Sequence, residues 1–185
     1  MTFINEIDSS WTLFLDRDGV INQEKKDDYI RIPDEFQFYE GVLSTLTKLT
    51  STFGITVIVT NQRGIGRGLM THQDLADIHD FMLYKISETG GNINRIYYAP
   101  DLDSHAIDRK PNTGMGLKAK SEFPSINFLK SVMVGNNLSD MKFGRQLGMK
   151  TVYVETTHPL HESSDLIDLK LPDLVAFGNM ICGST

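Results

Sequence analysis

The sequence of 185 residues contains a single cysteine, Cys182, which excludes an internal disulfide and any zinc site built from several cysteines. It also lacks an apolar run approaching the roughly 20 residues that a membrane helix needs, so no membrane partner is expected. The first residues, MTFINEIDSSW, are acidic where a signal peptide would carry Lys or Arg. These absences predict a cytoplasmic protein.

Positive charge is scarce as well. The chain has 18 Lys and Arg against 24 Asp and Glu, a formal net charge of −6. Without a broad cationic surface, nucleic acid is not an expected partner. A hydrophobic share of 40% and a charged share of 23% are typical of a globular protein, and the length fits one domain over residues 1–185. Nothing in the sequence indicates an oligomeric state.

What the sequence does contain is an alternation of β-prone runs and helical patterns. Strands are predicted at 11–15, 55–59, 93–99, 132–135 and 151–154, with helical spacing at 42–53, 75–86, 113–123 and 139–147 between them. A weak strand and a helix near 173–180 are expected after residue 156. The run ITVIV at 55–59 has no polar alternation, which is typical of a strand buried on both faces. The pattern predicts an α/β three-layer sandwich with a mostly parallel, Rossmann-like sheet.

Candidate site residues follow the predicted strands, because parallel sheets of this kind bind ligands beyond the carboxyl ends of their strands. In chain order they are Asp16 and Asp18 within D-R-D-G, Thr60, Asn61 and Gln62, then Arg109 and Lys110, and finally Asn136, Asn137 and Asp140. Polar and charged groups are therefore expected to meet at one edge of an apolar sheet.

These residue types favour metal-assisted phosphoryl transfer. Asp16 and Asp18 are two residues apart, so their carboxylates point to one side and repel unless a cation such as Mg²⁺ lies between them. An aspartate can attack phosphorus and form an aspartyl-phosphate, while the second aspartate serves as general acid and then as base. The Thr60 hydroxyl and the Lys110 ammonium are suited to stabilise the transferring phosphoryl oxygens.

Other features have simpler interpretations. Arg109-Lys110 is also compatible with a solvated basic turn, and Asp140 with an acid at a helix N-terminus. The glycines of GIGRG, residues 64–68, lack the Lys-Ser/Thr of a P-loop and are interpreted as a tight turn beside the site. The histidines show no paired ligand spacing and are expected at the surface; they are His72, His79, His105, His158 and His161.

Four motifs in order, LFLDRDGVIN, VIVTNQRGIGRG, DRKPNTGM and MVGNNLSDM, resemble those of the haloacid dehalogenase superfamily of phosphatases. Within it they are most similar to the heptose 1,7-bisphosphate and histidinol-phosphate phosphatases. The resemblance runs from about residue 13 to 154. It implies a fold without a large cap domain and a flap hairpin at about 20–38 over the site.

The resemblance also implies roles for individual residues. Asp16 is the implied nucleophile and Asp18 the general acid/base, with Thr60 and Lys110 completing the catalytic set. The implied metal ligands for Mg²⁺ are Asp16, the backbone carbonyl of Asp18, Asn136 and Asp140. The implied substrate contacts are Tyr29, Asn61, Gln62, Arg63, Arg109 and Asn137.

Two positions depart from the family pattern. Heptose bisphosphate phosphatases usually hold a zinc ion in a cysteine- and histidine-containing loop, whereas the matching positions here are Ala99, Asp101, Ala106 and Asp108. No zinc is therefore expected. The motif V-G-D is replaced by V-G-N at Asn136, which keeps a hard oxygen but lacks the charge, so weaker Mg²⁺ binding is expected unless Asp140 compensates.

The leading hypothesis is a Mg²⁺-dependent phosphomonoesterase acting on a small phosphorylated metabolite: a sugar phosphate, a heptose bisphosphate or histidinol phosphate. A catalytically silent phosphate-binding or regulatory module, caused by Asn136, is the alternative. A phospho-accepting receiver domain also combines Asp, Thr and Lys on a parallel sheet, but such domains have no D-x-D-G after their first strand.

Overall fold

The computed structural model describes residues 3–25, 27–160 and 164–183. Within these ranges six strands form one sheet in which every neighbouring pair is parallel. They are β1 (Thr12–Leu15), β2 (Ile55–Asn61), β3 (Arg95–Ala99), β4 (Ser131–Gly135), β5 (Lys150–Val154) and β6 (Leu169–Leu171). The order β3-β2-β1-β4-β5-β6 confirms the predicted Rossmann-like α/β sheet.

The chain moves outwards from β1 to β3 and then returns to place β4 on the other side of β1. This reversal creates a topological switch point between β1 and β4, where the loops after the two strands diverge and leave a crevice. Asp16 follows β1 and Asn136 follows β4, so both lie at that point.

The helices are α1 (Val42–Thr52), α2 (Arg63–Gly66), α3 (His72–Glu88), α4 (Gly114–Glu122), α5 (Leu138–Leu147) and α6 (Leu174–Cys182). Thr71 and Asp74 form a capping box that begins α3, and Asn137 and Asp140 form a second one at α5. No described helix is long and apolar enough to span a membrane.

Apolar side chains fill both faces of the sheet, which makes three layers. Leu13, Leu15 and Ile58 pack on one face with residues of α1, α3 and α6, while Phe14 and Val57 pack on the other with residues of α4 and α5. All four residues of β1 are buried, as a central strand covered on both faces requires.

Two local predictions need correction. The glycine segment after β2 contains one helical turn, α2, before Gly68 adopts a φ of +70°, so the expected turn comes later. Strand β3 begins at Arg95 rather than residue 93. The Asn94 side chain accepts a hydrogen bond from the Thr56 backbone N–H and takes the place of an earlier strand pairing.

The prediction for His79 is wrong. This residue is 7% exposed and lies on the buried face of α3, although His72, His105 and His158 are exposed as expected. Burial is tolerated because the imidazole meets the buried guanidinium of Arg17. His161 lies outside the described residues.

The segment at 20–38, predicted to be a flap hairpin, is paired only near its two ends. Asn22 forms an isolated bridge with Phe38, and the Gln23 N–H donates to the Gln37 carbonyl. Between them the described chain has no regular strand, and a short 3₁₀ helix covers Pro33–Glu35. We call residues 20–38 the flap.

Candidate active site

A cavity of about 980 Å³ lies at the switch point, between the carboxyl ends of the strands and the flap. Its lining contains every residue predicted for the site: Asp16, Asp18, Tyr29, Thr60, Asn61, Gln62, Arg63, Arg109, Lys110, Asn136, Asn137 and Asp140. The fold therefore brings together side chains that are up to 124 positions apart in the sequence, as the rule of strand ends requires.

The ammonium group of Lys110 lies between two carboxylates on the cavity floor. Nζ is 2.9 Å from Oδ1 of Asp16 and 2.7 Å from Oδ1 of Asp140, and the lysine side chain is 1% exposed. Burial alone would lower the pKa of Lys110, but the charges of Asp140 and Asp16 raise it above its usual value. Lys110 is therefore a fixed positive charge in the site.

Asp16 has the opposite tendency. The pKa of Asp16 is raised to about 7, first by burial and then by the charge of Asp140, although Lys110 opposes the rise. Any positive charge added next to such a carboxylate stabilises its ionised form. The second oxygen, Oδ2, has no hydrogen bond or ion pair to any described residue.

Asp18 is held by donors on three sides. Oδ1 accepts from Arg17 at 2.9 Å and from Asn22 at 2.9 Å, and Oδ2 accepts from Gln62 at 2.8 Å. Burial alone would raise the pKa of Asp18, but the Arg17 charge and the three hydrogen-bond donors lower it below its usual value. Asp18 is therefore ionised and oriented in this structure.

Asn61 and Gln62 bind protein groups rather than pointing only into the cavity. The Asn61 amide donates to the Lys110 carbonyl at 3.1 Å and accepts from the Lys110 N–H at 2.9 Å, which fixes the lysine backbone. Gln62 Nε2 donates to Asp18 and, at 2.9 Å, to the Thr60 hydroxyl. Because Thr60 accepts there, its own hydroxyl proton is free for another acceptor.

The loop after β4 combines a helix start with the site. Asp140 is 1% exposed; its Oδ2 accepts from the Asn137 N–H at 3.0 Å while its Oδ1 faces Lys110. Both carboxylate oxygens thus have protein partners. Asn136 is 3% exposed, and its Nδ2 donates to Thr157 and, at 3.2 Å, to Glu24 of the flap.

Cationic side chains form the rim of the cavity. Arg67 lies over the ring of Tyr29, with Cζ 5.7 Å from the ring centroid. Nε of Arg63 is buried and has no hydrogen-bond partner among the described residues, and Arg109 donates to the Leu102 carbonyl. These groups suit a ligand with further anionic or hydroxyl groups.

Several residues of the cavity lining were not predicted from the sequence, among them Arg17, Glu24 and Arg67. Alternation of side-chain direction would turn Arg17 away from Asp16 and Asp18, whereas in the structure its guanidinium is paired with Asp18 at 2.9 Å. Glu24 and Arg67 lie in loops, where no periodicity assigns a direction to the side chain.

The sequence model of the polynucleotide kinase 3 phosphatase family, a group of haloacid dehalogenase-like phosphatases, matches residues 11–165, which is most of the chain. The chain belongs to this family.

Relatives of this haloacid dehalogenase-like phosphatase carry more specific names. A D-glycero-alpha-D-manno-heptose-1,7-bisphosphate 7-phosphatase of Campylobacter jejuni is 38% identical over 140 residues, covering 76% of this chain and 79% of the relative. The D-glycero-beta-D-manno-heptose-1,7-bisphosphate 7-phosphatase of Vibrio cholerae is 34% identical over 164 residues, covering 84% and 87%. The family resemblance inferred from the motifs is thereby confirmed.

A solved structure has the same fold. The D,D-heptose 1,7-bisphosphate phosphatase of B. bronchiseptica, complexed with magnesium and phosphate, superimposes with a TM-score of 0.81 at 27% identity. The match covers 92% of this chain and 97% of the other. The prediction of a fold without a large cap domain is confirmed by this likeness.

The donor set of this phosphatase fits Mg²⁺. Oδ2 of Asp16 and Oδ1 of Asn136 are hard oxygens in the cavity lining, and neither has a protein partner in the described ranges. No group of three or more Asp, Glu, His or Cys side chains among those residues is placed to hold a metal. Mg²⁺ needs only one or two carboxylates when waters and substrate oxygens complete its shell.

Proposed function

We propose that this chain is a Mg²⁺-dependent phosphomonoesterase that hydrolyses a small phosphorylated sugar through an aspartyl-phosphate on Asp16. The observation that carries the proposal is the Asp16 carboxylate, which has one oxygen paired with Lys110 and the other open to the cavity. The names of the relatives, heptose-1,7-bisphosphate 7-phosphatases, support a sugar phosphate as the substrate.

The reaction has two displacements at phosphorus. In the first, the Asp16 carboxylate attacks, the bond between phosphorus and the sugar oxygen breaks, and that oxygen takes a proton from Asp18. In the second, Asp18 removes a proton from water, the water oxygen attacks the phosphorus, and Asp16 leaves as a carboxylate. The products are the sugar with a free hydroxyl group and inorganic phosphate, Asp16 is again a carboxylate, and Asp18 again holds the proton that it gave up in the first displacement.

The surroundings of Asp18 suit the second displacement directly. Arg17, Asn22 and Gln62 hold the side chain as a hydrogen-bond acceptor, so the substrate-free enzyme contains Asp18 as a base. Asp18 must therefore take up a proton before it serves as the acid of the first displacement. The same donors fix the orientation of the Asp18 carboxylate, so that less conformational entropy is lost when it reaches the geometry for proton transfer.

Positive charge and a hydroxyl group accompany the nucleophile. Lys110 neutralises charge on the phosphoryl oxygens while it keeps Asp16 oriented, and the free proton of Thr60 is available to one of those oxygens. Asp16, the Asp18 backbone carbonyl and Asn136 would hold Mg²⁺, whereas Asp140, implied as a further ligand, has both oxygens paired with protein groups and would act on the cation through its charge. When bound, the cation supplies the charge that allows an anionic nucleophile to approach an anionic phosphate.

The remainder of the cavity is suited to the sugar. We assign Tyr29, Arg63, Arg109 and Asn137 to contacts with the part of the substrate beyond the phosphate that is cleaved. The buried Arg63 Nε without a described partner favours a substrate with a second acceptor-rich group there. Asn61 and Gln62 contribute by holding Lys110, Asp18 and Thr60.

Phosphate release by the purified full chain tests the proposal. The substrate panel contains both anomers of D-glycero-D-manno-heptose 1,7-bisphosphate, other sugar phosphates, histidinol phosphate and a 3′-phosphorylated oligonucleotide, each with Mg²⁺ or with EDTA. We expect turnover of a sugar phosphate that depends on Mg²⁺ and is abolished by Asp16→Asn. Asp101→Asn, which changes an exposed aspartate outside the cavity lining, is the matched control and should retain activity.

Each contrary outcome has a distinct meaning. Release from none of the panel, or full activity of Asp16→Asn, would overturn the proposal. Preference for the oligonucleotide would replace the substrate class, although the net charge of −6 disfavours that result. A silent regulatory module would bind phosphate without turnover, and it has no support from the relatives, whose names describe phosphatases.

A further inference from the structure

The flap places a carboxylate directly beside Asn136. Oε2 of Glu24 lies 3.2 Å from Nδ2 of Asn136, and both residues line the cavity. A carboxylate only accepts hydrogen bonds, so the amide must turn its NH₂ group to Glu24 and to the hydroxyl oxygen of Thr157. The amide oxygen of Asn136 therefore points away from Glu24 and remains free.

Gly19 brings these two side chains close to the backbone of the catalytic loop. It has a φ of +81°, and a Cβ at this position would lie 1.9 Å from Nδ2 of Asn136 and 3.2 Å from Oε2 of Glu24. The Glu24 carboxylate thus lies against the residue that follows Asp18, whose backbone carbonyl is a proposed Mg²⁺ ligand. The flap thereby places the negative charge of Glu24 beside the proposed Mg²⁺ ligands.

The charge of Glu24 is not neutralised by the lysines that lie nearby in the described structure. Lys110 is shared by Asp16 and Asp140, and Lys25 pairs with Glu35 at 2.7 Å. Among the described residues, the ion-pairing group nearest to Glu24 is the exposed imidazole of His158, with Nε2 at 3.9 Å. No Lys or Arg in that part of the chain forms an ion pair with Glu24.

We propose that Glu24 supplies, from beside Asn136, the negative charge that the amide lacks, and thereby strengthens the binding of Mg²⁺. Glu24 acts as a positioning residue: it orients the Asn136 amide so that its oxygen is free, and its charge attracts the cation. The inference rests on the proposed function for the presence of a Mg²⁺ site. It assigns to the flap a part in metal binding as well as in covering the cavity.

Calorimetric titration of the substrate-free full chain with Mg²⁺ tests this directly, without any turnover. Glu24→Gln keeps the size of the side chain and one acceptor oxygen for the Asn136 amide but removes the charge, and it should raise the Mg²⁺ dissociation constant about tenfold, as loss of an outer partner of a metal ligand typically does. Glu40→Gln is the matched control, because Glu40 is exposed and lies outside the cavity lining. It should bind as the wild type does.

The compensating variant makes the test specific. Asn136→Asp places a charge on the ligand itself, so the double variant Glu24→Gln/Asn136→Asp should regain an affinity near that of the wild type. Unchanged affinity in Glu24→Gln, equal weakening in Glu40→Gln, or no recovery in the double variant would overturn the inference. Circular dichroism of each variant confirms that it is folded.

Failure of this inference differs from failure of the proposed function. If the wild type turns over a sugar phosphate with Mg²⁺ and Glu24→Gln binds the cation equally well, only the role of Glu24 is contradicted. If Mg²⁺ binding weakens in Glu24→Gln but the protein releases no phosphate from the panel, the role of Glu24 is supported and the proposed phosphatase reaction is contradicted.

Discussion

Arg17 and His79 are in contact inside the protein, with Nη1 of the guanidinium 3.1 Å from Nε2 of the imidazole. Burial, together with the Arg17 charge, lowers the pKa of His79 to about 3, so the ring is neutral at physiological pH. Its Nε2 accepts from Arg17, and the proton of the neutral ring is therefore on Nδ1. This acceptor allows Arg17, 1% exposed, to direct its other nitrogens to Asp18.

Removal of the acceptor should destabilise the fold. In His79→Leu the buried Arg17 loses a partner, and we expect a loss of about 2–4 kcal/mol in the free energy of unfolding. Urea denaturation at neutral pH measures it. His105→Leu, at an exposed position, is the control and should leave the midpoint unchanged. Equal midpoints for His79→Leu and the wild type would show that the contact contributes nothing.

Stability should also depend on pH through His79. The imidazole has its ordinary pKa of 6.5 when unfolded and a pKa of about 3 when folded, so below 6.5 the unfolded chain binds a proton that the folded protein does not. The contribution of the neutral His79 to the free energy of unfolding is therefore complete above pH 6.5 and is lost as the pH falls towards 3.

The variant His79→Asn isolates this effect, because it keeps an acceptor for Arg17 and has no titrating group. Between pH 7 and 5 the wild type should lose on the order of 2 kcal/mol more stability than the variant does. Unfolding free energies measured over this range check it, with His105→Asn as the reference. Parallel curves for wild type and His79→Asn would contradict the buried neutral imidazole.

The positions in the fold that could be predicted from sequence are those set by strand ends. Asp16, Thr60, Lys110 and Asn136 were identified because a parallel sheet brings the residues after its strands to one edge. What each side chain binds there is a separate question, because it depends on contacts between distant segments. Asn61 illustrates this: nothing in its neighbourhood in sequence indicates that it holds the backbone of Lys110.

His79 is a second residue whose contacts could not be predicted from the sequence. It belongs to the buried stripe of α3, where it follows Leu75 at helical spacing, and a histidine in such a stripe has no assigned partner until the tertiary structure provides one. Arg17, 62 positions away, is that partner. The short helix α2 was missed for a local reason, since a glycine-rich segment has weak preference for any regular structure.

Gly19 should be more important for metal binding than for stability. Gly19→Ala places a methyl group 1.9 Å from Nδ2 of Asn136, and the end of that side chain must move. Gly68→Ala is the matched control, because Gly68 also has a positive φ, +70°, but nothing within 4 Å of the added Cβ. Each variant should lose about 1–2 kcal/mol of stability for its backbone conformation. Only Gly19→Ala should also weaken Mg²⁺ binding and turnover; if both variants behave alike, Asn136 has no part in holding the cation.

Lys110 should be required both for the fold and for an ionised nucleophile. In Lys110→Met two carboxylates, the partly buried Asp16 and the buried Asp140, lose their shared cation, which costs about 3–5 kcal/mol. The pKa of Asp16, already raised to about 7, must rise further, so residual activity should require a more alkaline pH than the wild type does. Thermal unfolding and a pH–rate profile measure the two effects. Lys118→Met, which removes an exposed ion pair with Asp108, should alter neither, and an unshifted profile for Lys110→Met would contradict the charge assignment.

The hydroxyl of Thr60 should be needed for catalysis but not for folding. Its oxygen accepts from Gln62, so its proton is left for a phosphoryl oxygen, and loss of such a donor typically lowers kcat by about 10²–10³. Thr60→Val should show that loss, and Thr60→Ser should recover much of it. Thr56→Val is the control from the same strand: the Thr56 hydroxyl is buried without a partner in the described chain, so its removal should leave kcat unchanged and stability equal or higher. Equal kcat values for Thr60→Val and Thr56→Val would place the Thr60 hydroxyl outside the reaction, because both substitutions remove the same atom from β2 and only one of them faces the cavity.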